Sequence, residues 1–273
     1  MLFRSRYEVS HAQKRLWLID KVNGPSSAYH IQGSFELTGN VDCELLQKVI
    51  NQLVMRHESI RTNFVDIGDY PYQVIREVSS LPIQKHYIES IEEIKNEILK
   101  RSEVAFDLEK DVLLRVDLYE ISKKHFVLSI CIHHIISDGW SMGVFVKEFS
   151  KLYNGEKLEP LPIQYKDFTY WQNEVIHSSS MNSQRDFWAK QLEGELPALD
   201  LPVDFTRPEK RNDEGGSFHF QISQQITREF KASLESNQFS LFLGLFSFYN
   251  IILHKYANQN DLIVGFPVSG RYH

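Results

Sequence analysis

The chain has 273 residues, 42% hydrophobic and 24% charged, a composition that suits one large domain or two ordinary lobes around a real core. Its net charge of −6 lacks the basic balance of a nucleic-acid binder, and two cysteines, Cys43 and Cys131, are too few for a disulfide framework or a thiolate metal site. No apolar signal segment opens the chain, and the most apolar stretch, residues 239–252, is too short and too interrupted by Ser240, Gly244, Ser247 and Asn250 to span a bilayer, so a cytoplasmic protein with no membrane partner is expected.

In chain order, Ser10 caps a predicted helix over residues 11–21 that carries Leu16, Trp17 and Ile19. A strand is expected at 31–37. Residues 41–57 form the clearest helix, because Leu46, Val49, Ile50 and Leu53 recur at 3–4 spacing on one side. Strands at 60–65 and 72–76 flank a turn at 66–69, and a helix at 90–101 precedes a strand at 113–120. Residues 125–134 are β-favouring and apolar in both alternating directions. Phe126, Leu128, Ile130 and Ile132 point one way; Val127, Ser129 and Cys131 point the other. Such a strand suits the middle of a sheet covered on both sides. It runs into Ser137-Asp138-Gly139, a turn, and a helix at 140–153 follows.

From 155 to 215 the prolines Pro160, Pro162, Pro197, Pro202 and Pro208 punctuate a segment read as a crossing between lobes. A strand (216–222), two helices (224–236, 239–257) and a strand (262–267) are expected beyond it. Those four elements alone would leave a small, open-edged second lobe, so the expectation is a chain cut short. The domain plan is an N-terminal lobe at 1–175, a crossing at 176–215, and the start of a C-terminal lobe at 216–273.

The sharpest chemical feature is His133-His134-Ile135-Ile136-Ser137-Asp138-Gly139. A metal site is opposed by geometry, since adjacent strand residues point to opposite sides and the two imidazoles cannot both reach one ion. Two hydrogen-bonded histidines at a strand end, followed by a plain turn, is a second reading. The third is an acyl-transfer site: a neutral imidazole offers a donor and an acceptor nitrogen, so His134 facing a cleft can hold or accept a proton from an attacking amine while His133 packs behind it. In that reading Asp138 pairs with an arginine, and Gly139 takes an unusual backbone angle.

The segment HHIISDG also matches the HHxxxDG motif of condensation domains of nonribosomal peptide synthetases. Four further segments resemble the motifs of that family in the same order: residues 10–17 (SHAQKRLW), 56–64 (RHESIRTNF), 165–171 (YKDFTYW) and 263–271 (IVGFPVSGR). Taken singly they have plainer readings, with Trp17 and Trp171 as packing residues, Arg56 as a helix-end cation and Arg61 as a surface residue.

The resemblance implies a chloramphenicol-acetyltransferase-like α/β (α+β) fold of two lobes, here a complete first lobe and the start of a second. It implies that His134 is catalytic, supported by His133, Asp138, Gly139 and an arginine, with Arg271 preferred to Arg61 as the partner of Asp138. It implies no metal and no directly bound cofactor. The substrates would ride on the 4'-phosphopantetheine arms of donor and acceptor peptidyl carrier proteins, beside an adenylation domain. The intact HHxxxDG disfavours cyclisation domains, and residues 10–17 with Trp140-Ser141 look most like domains that take an L-configured donor. Two alternatives stay open: a non-catalytic docking half-domain for carrier proteins, and an oligomeric CoA-dependent acyltransferase.

Overall fold

The structure, a computed structural model, describes residues 6–78, 80–206, 216 and 218–268. The chain divides into two compact units, residues 1–182 and 183–273.

In the first unit, β1 (Tyr7–Glu8) leads to α1 (His11–Asn23), β2 (His30–Thr38) and α2 (Cys43–Arg56). A 3-10 turn at Glu58–Arg61 precedes β3 (Thr62–Asp66) and β4 (Pro71–Ile75), which pair antiparallel across the expected turn. With β1 on the outer side of β4 they form a three-stranded sheet. Next come β5 (Gln84–Tyr87), α3 (Ile91–Ser102), β6 (Leu114–Ser122), β7 (His125–His133), α4 (Gly139–Tyr153) and α5 (Tyr165–His177).

The second sheet has the order β2-β7-β6-β5. Strand β7 lies antiparallel between β2 and β6, so every backbone group along it can be paired. This is the covered middle strand that its two-sided apolar pattern demands. Strand β5 pairs parallel to β6 through the α3 crossover. Periodicity does not reveal it, because Gln84, Lys85, His86 and Tyr87 are mostly exposed on an outer strand.

One side of the sheet is apolar. Leu114, Val116 and Leu118 of β6 sit opposite Ile132, Ile130 and Leu128 of β7. They share one core with Leu46, Val49, Ile50 and Leu53 of α2, none more than 1% exposed. The other side is polar yet buried. Ser129 and Cys131 of β7 lie opposite Asp117 and Arg115 of β6, and Gln32 of β2 donates to the Ser129 hydroxyl at 2.9 Å. Asp117 is 4% exposed and is held by Arg101 from α3 at 2.8 Å and by His86 from β5 at 2.9 Å. A buried carboxylate is tolerated because charged and hydrogen-bonding partners replace the water it has lost.

In the second unit, α6 (Asn182–Gln191), α7 (Gln224–Ser236) and α8 (Leu241–Ala257) are the regular elements among the described residues. The expected strands at 216–222 and 262–267 are not found: the described residues of both segments have no strand conformation. A strand exists only when its N–H and C=O groups are paired, and neither segment meets a partner strand among the described residues. No helix among the described residues is long and apolar enough to cross a membrane.

Helices α7 and α8 approach closely at Gly244, where a Cβ atom would fall 2.7 Å from the Leu234 methyls and 2.8 Å from the Phe230 ring. Above this contact the Phe230 and Phe248 rings meet edge to face at 5.3 Å. Gly244→Ala should force Leu234 and Phe230 aside at a cost of about 1–3 kcal/mol, against about 1 kcal/mol gained in helix propensity. The urea midpoint should fall, and Leu234→Ala should cost less in the Gly244→Ala background than alone; additive effects would count against the contact.

Candidate active site

The site is built where β7 runs out. Its last residue and the one after it stay clamped from both sides, with His133 N–H donating to the Leu113 carbonyl at 3.0 Å and His134 N–H to the Tyr29 carbonyl at 2.8 Å. The chain then turns, and the Ile136 N–H closes onto the His133 carbonyl at 3.2 Å.

The two imidazoles go opposite ways. His133 is 3% exposed and its Nδ1 accepts the Ile135 N–H at 3.0 Å, so Nδ1 carries no hydrogen and the proton of the neutral ring sits on Nε2. This bond reaches across His134 and fixes the turn that presents it; the His134 side chain is exposed. Burial, helped by the neighbouring His30 and His134, pushes the His133 imidazolium down to about 4. The ring is therefore neutral at physiological pH.

Behind His133 lies a set of rings. His30, its register partner on β2, meets it edge to face at 5.7 Å, and Phe106 packs against both, at 4.9 Å from His30 and 6.3 Å from His133. The Arg115 guanidinium sits 3.7 Å over the Phe106 ring and donates to the Val104 and Ala105 carbonyls. His30, Phe106 and Arg115 were not singled out from sequence. Only the β2–β7 register, which sets His30 beside His133, exposes them.

Asp138 is extended and caps α4. One carboxylate oxygen accepts from the Ser141 N–H at 2.8 Å and the Ser141 hydroxyl at 2.6 Å, satisfying a free donor of the first turn. Gly139 corrects its expectation. It opens α4 without a positive φ, and a Cβ there would meet nothing within 4 Å. A helix start demands no special angle, so the unusual backbone conformation is absent. Arg61 is a second correction: its guanidinium donates to the main-chain carbonyls of Val54 (3.0 Å), Arg76 (2.9 Å) and Met55 (3.3 Å), locking the end of α2 to β4 rather than reaching Asp138. Arg271 lies outside the described residues.

The other singled-out segments form a scaffold. Ser10 and Gln13 make a reciprocal capping box on α1, and Gln13 Nε2 donates to Gln73 at 3.1 Å. The Ser10 and Tyr165 hydroxyls are 3.0 Å apart, joining α1 to α5. Arg56 and His57 both bind Glu148 of α4, at 3.1 and 2.6 Å, and Glu58 pairs with Lys166 of α5 at 2.6 Å. Trp17 is buried in the core, whereas Trp171 is 39% exposed with its ring against Phe168.

The sequence profile of the condensation domain matches residues 4–273. Tyrocidine synthase 3 of Brevibacillus parabrevis is 36% identical over 267 residues, which are 98% of this chain and 4% of that protein. Surfactin synthase subunit 1 of Bacillus subtilis (strain 168) is 37% identical over 265 residues, 97% of this chain and 7% of that protein. Among solved structures, holo-AB3403, a four-domain nonribosomal peptide synthetase bound to AMP and glycine, superposes with a TM-score of 0.85 at 21% identity, covering 98% of this chain and 21% of that one. The chain belongs to the condensation-domain family, with the chloramphenicol-acetyltransferase-like fold that its motifs imply. It spans less than a tenth of the length of these two curated relatives.

Two outcomes follow from this geometry. Because the His133 value is depressed, the unfolded chain takes up the proton first as pH falls. The stability His133 contributes is thus whole above about pH 6.5 and is lost toward about pH 4, about 3 kcal/mol in all. Urea midpoints measured across that window should fall more steeply for the natural chain than for His133→Asn. For the helix cap, Asp138→Ala should be less stable than Asp138→Asn by about 1 kcal/mol, since asparagine keeps the accepting oxygen; equal thermal midpoints would show that the cap contributes nothing.

Proposed function

We propose that this chain forms amide bonds between thioester-bound acyl groups, with His134 as the side chain at the reacting centre. The observation that carries the reading is the exposed His134 imidazole, held on a rigid turn at the end of a central strand by the backbone clamp and the His133 lock. Membership of the condensation-domain family, and relatives named as peptide synthases, supply the chemistry.

The acceptor is an aminoacyl thioester and the donor an acyl or peptidyl thioester, L-configured at its reacting residue. Both hang on phosphopantetheine arms of carrier proteins beside an adenylation domain, in the cytoplasm. The amine nitrogen attacks the thioester carbonyl carbon, the C–N bond forms and the C–S bond breaks. The proton lost by the amine ends on the departing thiolate. A neutral imidazole serves both halves of that transfer, accepting at one nitrogen and donating at the other. Holding the two thioesters together removes much of the barrier, since well-oriented reactants gain about 7–11 kcal/mol over free ones. Gly139 leaves open space at the start of α4, and Trp140, 66% exposed, stands beside it as an apolar contact for an arm or side chain.

The test is single-turnover condensation with two loaded carrier proteins, run with this chain and with the longest natural polypeptide that contains it. His134→Ala should lower the rate by about 10²–10⁴-fold, the range of positioned proton transfer, without moving the thermal midpoint of an exposed residue. An undiminished rate would remove His134 from the mechanism. Carrier binding without product from either protein would favour a docking role instead.

A further inference from the structure

His30 is a half-buried titratable group that the proposed reaction leaves unused. Its Nδ1 lies 2.7 Å from the Ser102 carbonyl at the end of α3. A carbonyl only accepts, so Nδ1 carries the hydrogen and Nε2 is the bare nitrogen. That Nε2 is buried without a partner among the described residues, and the His30 ring meets the His133 ring at a steep angle, centroids 5.7 Å apart. The tautomers of both rings are therefore set, one by Ser102 and one by the Ile135 N–H.

What surrounds the pair is cationic or neutral. Arg115 faces it from β6, His134 from β7 and Phe106 from the segment before β6. The groups acting on Arg115 are Cys131, Asp111, Arg101 and Asp117. Among the described residues no carboxylate hydrogen-bonds to either imidazole. A histidine that orients a neighbour is commonly backed by a carboxylate, which favours its imidazolium. Here the position beside His133 is filled by a second imidazole within the field of Arg115, which opposes it.

We infer that His30 is a positioning residue for the reaction, acting through His133. By placing a neutral ring where an anion would invite a second proton, it keeps His133 Nδ1 bare. Only a bare Nδ1 accepts the Ile135 N–H, the one side-chain bond that joins the backbone clamp in holding the turn presenting His134. Burial first, then Arg115, lowers the His30 value as well, against the raising effect of the Ser102 carbonyl. The inference rests on His134 being the reacting side chain, but its physical core, the state of His133, is measurable without any turnover.

The experiment compares His30→Asp with His30→Asn, near-isosteric side chains that differ in charge. Two readouts are taken in the same protein: condensation rate against pH, and titration of the His133 ring by NMR together with hydrogen exchange at the Ile135 amide. With aspartate, His133 should titrate at least one pH unit higher than with asparagine. The Ile135 amide should lose protection at that pH, and the acid limb of the rate profile should move up with it, about a tenfold loss of rate at a pH on the limb. With asparagine the limb should stay where the natural chain has it, whatever the absolute rate. Equal His133 titrations in the two variants would overturn the inference, as would a shifted titration with an unmoved limb. If no protein makes amide at any pH, the functional reading fails while the titration still decides what His30 does. Should His30→Asp not fold, His30→Glu against His30→Gln repeats the comparison: the carboxylate should raise the His133 titration, and equal titrations would count against the inference.

Discussion

Strand β7 is hydrogen-bonded to β2 on one side and β6 on the other, and the pairing continues past its last regular residue, His133, into the His134 amide. The rest of the structure depends on this clamp. A side chain that must meet a reacting group within a few tenths of an ångström cannot sit on a loose loop. Here two neighbouring strands fix the backbone, one buried imidazole fixes the turn, and a capped helix starts four residues later. The exposed histidine needs no contacts of its own to be well placed.

The other segments that identify the family do different work from the one that presents His134. Ser10, Gln13, Arg56, His57, Glu58, Tyr165 and Lys166 bind one another or neighbouring helices, joining α1, α2, α4 and α5 around the two sheets. Several of these contacts are ion pairs with side chains no more than a quarter exposed. Losing one partner there strands the other in a poorly hydrated place, which makes the substitutions costly without any reacting role. Shared motifs in a fold of this kind thus report support as often as catalysis.

Much of the first unit was legible because its periodicities are long and its signals agree. The α2 side made by Leu46, Val49, Ile50 and Leu53, the Ser10 cap and the two-sided β7 all read directly from residue order. What was not legible depends on pairing across distance. Strand β5 is four mostly polar residues whose strand character comes from β6 alone. Segments 216–222 and 262–267 have strand-like sequences but no partner among the described residues. Arg61 could not be told from a catalytic support by its spacing, since its role is decided by which carbonyls α2 and β4 leave within reach. His30 carries no local signal at all; its meaning lies in facing His133 across a ladder.

That ladder has a consequence for how the protein is made. Gln32 and Ser129, bonded on neighbouring strands, are 97 residues apart in the chain, whereas β6 and β7 meet through a tight local hairpin. Contacts between distant segments close late, after loop entropy has been overcome. On the ribosome, β2 must wait through the synthesis of two helices and four strands before its partner emerges. During that interval it is an unpaired, partly apolar edge open to wrong company. The cluster of rings around His133 is accordingly a late feature to assemble, and a nascent chain presents His134 on its turn only once this long-range pairing has closed.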